Sequence, residues 1–141
     1  MDISPGLILT WRIAGYEAIQ TKHQYVEIEH IFIGLCKISD ELSPDVMEKM
    51  GLELNIEEIQ KEIDILNGVF RDFGLNSKSL IPKIRGMLKQ GKYEHAEKVI
   101  HRSQKCKELF KKAEDIASSY GANKSFLLYL FLAILKEPSE L

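Results

Sequence analysis

The chain has 141 residues, is 45% hydrophobic and carries a net charge of -2, a composition that supports one domain with a genuine core and excludes disordered and collagen-like classes. Its longest apolar run, residues 126–135, is ten residues, half of the roughly 20 that a membrane-spanning helix needs. The start, Met1-Asp2-Ile3-Ser4-Pro5, lacks the basic stretch of a secretory signal, and two cysteines in no metal or redox spacing suit a reducing compartment, so a cytoplasmic location is expected.

Helical periodicity runs through nearly the whole chain. Ser4 is a good N-cap and Pro5 suits the first helical position, so a first helix is predicted over 5–23 with the stripe Leu7, Trp11, Ala14 and Ala18. A second helix carries Ile28, Ile31, Phe32 and Leu35, and a short third follows the Ser43-Pro44 cap and ends at Gly51. Asn55 with Glu58 three residues on forms a capping-box variant for a fourth helix, apolar at Ile56, Ile59, Ile63 and Leu66. From 68 to 100 the pattern loosens into a stretch rich in Gly, Lys and Ser, with one helix near 81–90 broken at Gly91. The helical pattern restarts at Ser103, with one helix ending near Gly121 and another stopping at Pro138. No segment alternates as a sustained strand.

The chain contains itself twice at an offset of 99. Ser103, Phe110, Ala113 and Ala117 fall on Ser4, Trp11, Ala14 and Ala18, and residues 127–136 fall on 28–37 without a gap. Each copy is a capped amphipathic helix, a short turn and an apolar helix, too small to bury its own faces and therefore expected to pack against its twin. The expected fold is all-α, a pseudo-twofold helical bundle in one domain, with repeat one at 1–66, an insertion at 67–100 and a partial repeat two at 101–141.

Charge is uneven along the chain. Residues 1–77 hold 6 Lys/Arg against 14 Asp/Glu, and residues 78–112 hold 11 against 3, net charges of -8 and +8. The basic stretch admits nucleic-acid binding as an alternative function, yet no nucleic-acid motif accompanies it. Solvated helix faces that attract the acidic half within one domain are the preferred reading.

The pattern resembles the Clp N-terminal domain, the Clp-repeat module that precedes the ATPase rings of Clp-family AAA+ unfoldases and disaggregases. Ser4 as cap, Glu17-Ala18 and Glu29-His30-Ile31-Phe32-Ile33-Gly34-Leu35 resemble its first repeat, with Met47-Glu48-Lys49-Met50-Gly51-Leu52 as its close. His101-Arg102-Ser103 and Tyr129-Leu130-Phe131-Leu132-Ala133-Ile134-Leu135 resemble its second, so the resemblance covers roughly 1–66 and 101–141. It implies a non-catalytic domain that binds unfolded or tagged protein substrates, or adaptor proteins, and delivers them to an AAA+ ATPase ring and its protease. It also implies, by analogy with some members, a phospho-arginine pocket of Ser4 and Glu29, whose twin keeps Ser103 but has Leu128 in place of the Glu. From the residues alone, Glu29 is read as serving the N-terminal turn of helix two, where a carboxylate meets the helix dipole. The family's second repeat normally continues into two more helices, so the chain is expected to be either a fragment of a longer protein or a shortened relative, a stand-alone interaction domain being the further alternative. A homodimer through the incomplete second repeat is one way to seal the apolar face of 126–135, and the insertion is another.

No catalytic, cofactor or metal site is expected. No Gly-x-x-x-x-Gly-Lys-Ser/Thr occurs. His23, His30, His95 and His101 do not converge in zinc spacing; His95 and His101 are expected on different helix faces, and His30 as a hydrogen-bonded interior histidine. Cys36 and Cys106 are expected as buried thiols, Cys106 aligning with Leu7. Partner binding is placed on helix one: Ile8, Leu9, Ile13, Tyr16 and Ile19 stand where the twin has Lys107, Glu108, Lys112, Asp115 and Ser118. Contiguous apolar surface of this kind is covered or used. The candidate covers are the insertion, through Phe70, Phe73, Leu80, Ile84 and Leu88, and a hydrophobic client peptide. The insertion is expected to cover part, and the remaining groove, with Tyr16 or Trp11 at its edge and Ile13 among its binding residues, to receive the partner.

Overall fold

The computed structural model describes residues 2–40, 56–95 and 100–136. The helix expected over 43–51, the Asn55 cap, the 47–52 resemblance and the Pro138 stop lie outside them. In chain order the described elements are β1 (Asp2–Ile3), α1 (Pro5–Gln20), β2 (Tyr25–Val26), α2 (Ile28–Asp40), α3 (Ile56–Asp72), α4 (Ser77–Leu88), β3 (His101–Arg102), α5 (Gln104–Ser119), β4 (Lys124–Ser125) and α6 (Leu127–Leu135). The fold is all-α in class.

Two strand pairs tie the repeats together, and each joins one repeat to the other. Strand β1 pairs in parallel with β4, Asp2 opposite Lys124, and β2 pairs in parallel with β3, Tyr25 opposite His101. Adding 99 turns β1 into β3 and β2 into β4, so the second pair is the first rotated by the pseudo-twofold. The next residue repeats the exchange: Ser4 N–H donates to Ser125 O at 2.9 Å and Ser103 N–H to Val26 O at 3.0 Å.

Residues on a twofold axis meet their own equivalents, and two aromatic pairs do so. Trp11 and Phe110 meet edge to face at 6.3 Å, as do Phe32 and Phe131; each pair is related by the offset of 99. Such geometry adds about 0.5–1.5 kcal/mol per pair beyond area burial. Both caps form as expected, Ser4 accepting from Leu7 N–H and Ser103 from Cys106 N–H. Leu7 and Cys106 are both fully buried, the thiol taking the leucine's place.

Several boundaries differ from expectation. Helix α1 ends at Gln20, not His23, because Lys22 takes a left-handed conformation at φ 59°. His23 N–H then returns to Ala18 O and Lys22 N–H to Ile19 O, a Schellman closure. The twin closes identically at Gly121, φ 74°, with Ala122 N–H on Ala117 O. Glycine announces that turn in one repeat, and a lysine hides it in the other. Helix α3 runs through Gly68 to Asp72, and α4 begins at Ser77 behind an Asn76 cap with Pro82 inside it. Ile56 is exposed, while Ile59, Ile63 and Leu66 are buried.

The insertion divides its work between the repeats. Phe70 and Phe73, expected over helix one, lie instead against Phe131 of α6, with ring centroids at 5.2 and 6.1 Å. Leu127, Leu130, Phe131, Ala133 and Ile134 are buried while Leu135 is exposed, so Phe70 and Phe73 cover part of the 126–135 face. Helix α4 packs on α2, and its Arg85 reaches α1 by donating to both carboxylate oxygens of Glu17. A strap, residues 89–95, then crosses the end of α1. Gly91 N–H donates to Thr21 O and Tyr93 N–H to Lys22 O, at 2.8 and 2.9 Å. A Cβ on Gly91 would stand 2.1 Å from Lys22 O, so only glycine allows this approach.

The α1/α2 contact is equally tight. Ala14 is fully buried, and a Cβ added at Gly34 of α2 would meet Ala14 Cβ at 3.6 Å and Thr10 O at 2.9 Å. Ala113, its twin, is also fully buried. Ala14→Leu and Ala113→Leu are each expected to destabilise by about 1–3 kcal/mol through overpacking, read as a melting temperature several degrees lower. A parental melting temperature in either variant would contradict the twofold packing.

Candidate functional site

The strand exchange decides which candidate residues meet. Ser4 follows β1, which pairs with β4, and so sits beside the start of α6; Ser103 follows β3, which pairs with β2, and so sits on the side of Glu29. The pairing of Ser4 with Glu29 implied by the resemblance is therefore exchanged, because each cap serine faces the other repeat's second helix. Glu29 lies in the first turn of α2, as its helix-dipole reading requires. Burial, reinforced by the Glu27 charge, raises its carboxyl above the ordinary range, and Lys105 and His23 act against that rise.

The residue that sequence reasoning missed is Glu62. It projects from α3 and is almost fully buried where the N-termini of α1 and α6 converge. Ser4 Oγ donates to Glu62 Oε1, Gly6 N–H to Oε2 at 2.8 Å, and Leu127 N–H to Oε1 at 3.2 Å. Helix α6 has no side-chain cap of its own, so one carboxylate serves two helix dipoles at once. Burial pushes this carboxyl above the ordinary range, offset only in part by its three donors. The hydroxyl of Ser4 is thereby engaged within the domain. A capping-box search finds pairs three residues apart, and this pair is 58 apart, so no local signal marks it.

The helix-one face is split. Leu9 and Ile13 are core residues, Ile13 only 8% exposed, so Ile13 does not line a surface groove. Trp11, Arg12, Gly15, Tyr16, Ile19, Gln20 and Ile100 line a concavity of about 570 Å³, with Tyr16 60% exposed at its rim. Ile100, from the insertion, lies over Gly15, its Cγ2 3.4 Å from where a Cβ would stand. The twin positions Lys107, Glu108, Lys112, Asp115 and Ser118 are all exposed. At the axis, Arg102 stacks over Phe110 and Trp11, 4.9 and 5.6 Å from their centroids.

The histidines and cysteines arrange otherwise than a metal site would. His30 is fully buried, its Nδ1 accepting from Glu27 N–H at 2.9 Å and its Nε2 lying 3.2 Å from His23 Nδ1. Burial pushes its pKa down to about 4. His95 and His101, expected on helix faces, lie in the strap and in β3 respectively. Both cysteines are buried, and burial raises the Cys106 thiol to about 12, far from a nucleophile's range. Among the described residues no group of three or more His, Cys, Asp or Glu could hold a metal, and no helix is long and apolar enough to cross a membrane. The Gly86–Gly91–Lys92 spacing approaches a phosphate loop but has Tyr93 for Ser/Thr and begins inside α4 rather than between strand and helix.

Two measurements test this geometry. Glu62→Ala leaves the Ser4 hydroxyl and two N–H groups without their acceptor, and is expected to cost on the order of 3 kcal/mol in urea unfolding, Glu62→Gln costing less. An alanine variant within about 0.5 kcal/mol of the parent would refute the role. For His30, the folded pKa lies below the unfolded 6.5, so the unfolded chain binds the proton first on acidification. Stability conferred by neutral His30 is thus full well above pH 6.5 and is lost as pH falls toward 4, on the order of 2 kcal/mol by about pH 5. A His30→Gln variant is expected to flatten this slope, and an equal slope in variant and parent would contradict it.

Comparison with curated proteins finds no match. The model of the family described as Clp repeat (R) N-terminal domain matches residues 12–141, which takes in repeat one from residue 12 on, the insertion and repeat two. With this match over most of the chain, and with the duplicated helices and exchanged strands described above, the chain belongs to the Clp repeat N-terminal domain family.

Proposed function

We propose that this domain is a non-catalytic recognition module that binds unfolded or tagged protein segments, or an adaptor protein, for an AAA+ ring, and that it works in the cytoplasm. The observation that carries the reading is the asymmetry of the twin helices. Helix α1 keeps an apolar groove under Tyr16, Trp11, Ile19 and Ile100, where α5 presents Asp115 and Ser118 to solvent. An exposed tyrosine beside aliphatic walls offers large contact area at low entropy cost, the chemistry of an apolar peptide site.

A nucleic-acid role for 78–112 draws less support. Arg85 is held by Glu17, Arg102 by two aromatic rings and Lys111 by a surface pair with Asp115, so part of the positive charge already has partners within the chain. The paired phospho-arginine reading is weakened by the engagement of Ser4 with Glu62 and by Leu128 in place of a carboxylate.

Tyr16→Asp combined with Ile19→Ser gives α1 the residues of its twin at these two positions. With the fold retained by circular dichroism, this variant is expected to bind a fluorescein-labelled, permanently unfolded polypeptide at least tenfold more weakly than the parent, with little dependence on salt. A folded variant that binds as well as the parent would remove the groove from the reading. A steep fall of random-DNA binding with salt, at affinities exceeding those for polypeptide, would favour the nucleic-acid alternative.

A further inference from the structure

Residues four apart lie one above the other on a helix, and two such rows build the α1 concavity. Trp11, Gly15 and Ile19 form one row, and Arg12, Tyr16 and Gln20 the other. Gly15 leaves a notch in the first row that Ile100 overlies, so the floor between Trp11 and Ile19 is aliphatic. In the second row Gln20 Nε2 donates to Tyr16 Oη at 2.7 Å, which holds the phenol along the helix as a wall. Both ends of that row are polar and exposed, a guanidinium at Arg12 and an amide at Gln20.

The twin helix shows what Arg12 lacks. Its equivalent at the offset of 99 is Lys111, which pairs with Asp115 four residues on, at 3.6 Å. Tyr16 stands at the place of Asp115, so α1 keeps the cation of that pair and has a groove wall where its acid would be. Among the described residues no carboxylate forms an ion pair with Arg12. Glu17, the next acid along α1, is buried and bound by Arg85 and Lys37. A second guanidinium, that of Arg102, lies 5.6 Å from the Trp11 ring centroid, and the acids Asp2 and Glu114 line an adjoining concavity that they share with Arg102 and Lys107. The Arg12 end of the groove thus sets an apolar floor beside a positive charge that lacks the carboxylate its twin has.

We propose that this groove selects segments in which an aspartate or glutamate neighbours an apolar side chain: the apolar group sits on Ile100 between Trp11 and Ile19, and the carboxylate gives Arg12 the pairing that Asp115 gives Lys111. A guanidinium presents two parallel N–H donors to one carboxylate, and apolar walls beside the pair strengthen it by excluding water. The acid belongs to a side chain and not to a chain end. Gly15 and its neighbours lie in the middle of α1, where backbone N–H groups are spent on the helix and no backbone nest is left to hold a terminal carboxylate. The proposal rests on the groove reading given above and adds to it the charge required beside the apolar residue.

Trp11, the chain's one tryptophan, reports binding in the groove by its fluorescence. Four unlabelled peptides share a leucine core after a Gly-Ser flank. Three carry Asp, Asn or Lys beside the core and have both ends blocked; the fourth has neither charge and ends in a free carboxylate directly after the core. The parent is expected to bind the Asp peptide about fivefold more tightly than the Asn peptide, and the Lys peptide more weakly still. Arg12→Gln, at an exposed position, is expected to bind the Asp and Asn peptides alike, with the parent's affinity for the Asn peptide, and Arg12→Glu to prefer the Lys peptide. Equal binding of the Asp and Asn peptides by the parent, or a preference that survives Arg12→Gln, overturns the proposal, as does tighter binding of the fourth peptide than of the Asp peptide; in each case the groove itself still stands. The groove reading fails separately if Tyr16→Asp with Ile19→Ser binds the Asn peptide as the parent does, and the selectivity then falls with it.

Discussion

Neither repeat can bury its own apolar faces, so the two must pack about a twofold, and every other feature of the domain is built on that requirement. The strand exchange shows how closely they interlock. Each repeat lends one two-residue strand to the other at both ends of the axis, and the backbone bond of the following serine repeats the exchange. Between these ends, Trp11 meets Phe110 and Phe32 meets Phe131. Large aromatics that meet their own equivalents fill the axis with one residue type from each copy. Edge-to-face geometry makes such contacts directional as well as apolar.

The departures from symmetry carry the function we propose. Helix α3 has a described counterpart in neither α5 nor α6, and it contributes two things that the twofold does not supply. Its Glu62 bridges the N-termini of α1 and α6, and its Phe70, with Phe73 just beyond its end, packs against Phe131 of α6. Helix α4 and the strap then bear on α1, through Arg85 on Glu17 and three carbonyls of the turn. Burial alone would raise the Glu17 carboxyl, but the Arg85 hydrogen bond and Lys37 bring it below the ordinary range. The insertion thus loads both repeats unequally, leaving α1 partly sheltered and partly open at Tyr16.

What the sequence made legible was whatever is local or repeated. Both serine caps, the stripe of Ala14 and Ala18 with its twin, the buried thiols and the interior His30 follow from spacing and from the offset of 99. What stayed hidden depends on contacts between distant positions. Lys22 closes α1 in the geometry its twin assigns to Gly121, and a lysine carries no turn signal. Glu62 reads as one more charge on an acidic helix until Ser4, Gly6 and Leu127 arrive from elsewhere in the chain. Two-residue strands are too short to alternate, and the exchange they make is what separates Ser4 from Glu29. Ile13 stands where its twin is Lys112, which suggests an open groove, yet the position belongs to the core.

The central claim is that the repeats pack as twins about an axis filled by their own equivalent residues. A double-mutant cycle on Phe32→Leu and Phe131→Leu, measured by chemical unfolding, addresses it most directly, because leucine keeps the apolar volume and removes the ring geometry. The account predicts a coupling of about 0.5–1.5 kcal/mol between the two substitutions. Effects that add within about 0.3 kcal/mol would mean that the rings do not meet across the axis, and would contradict it.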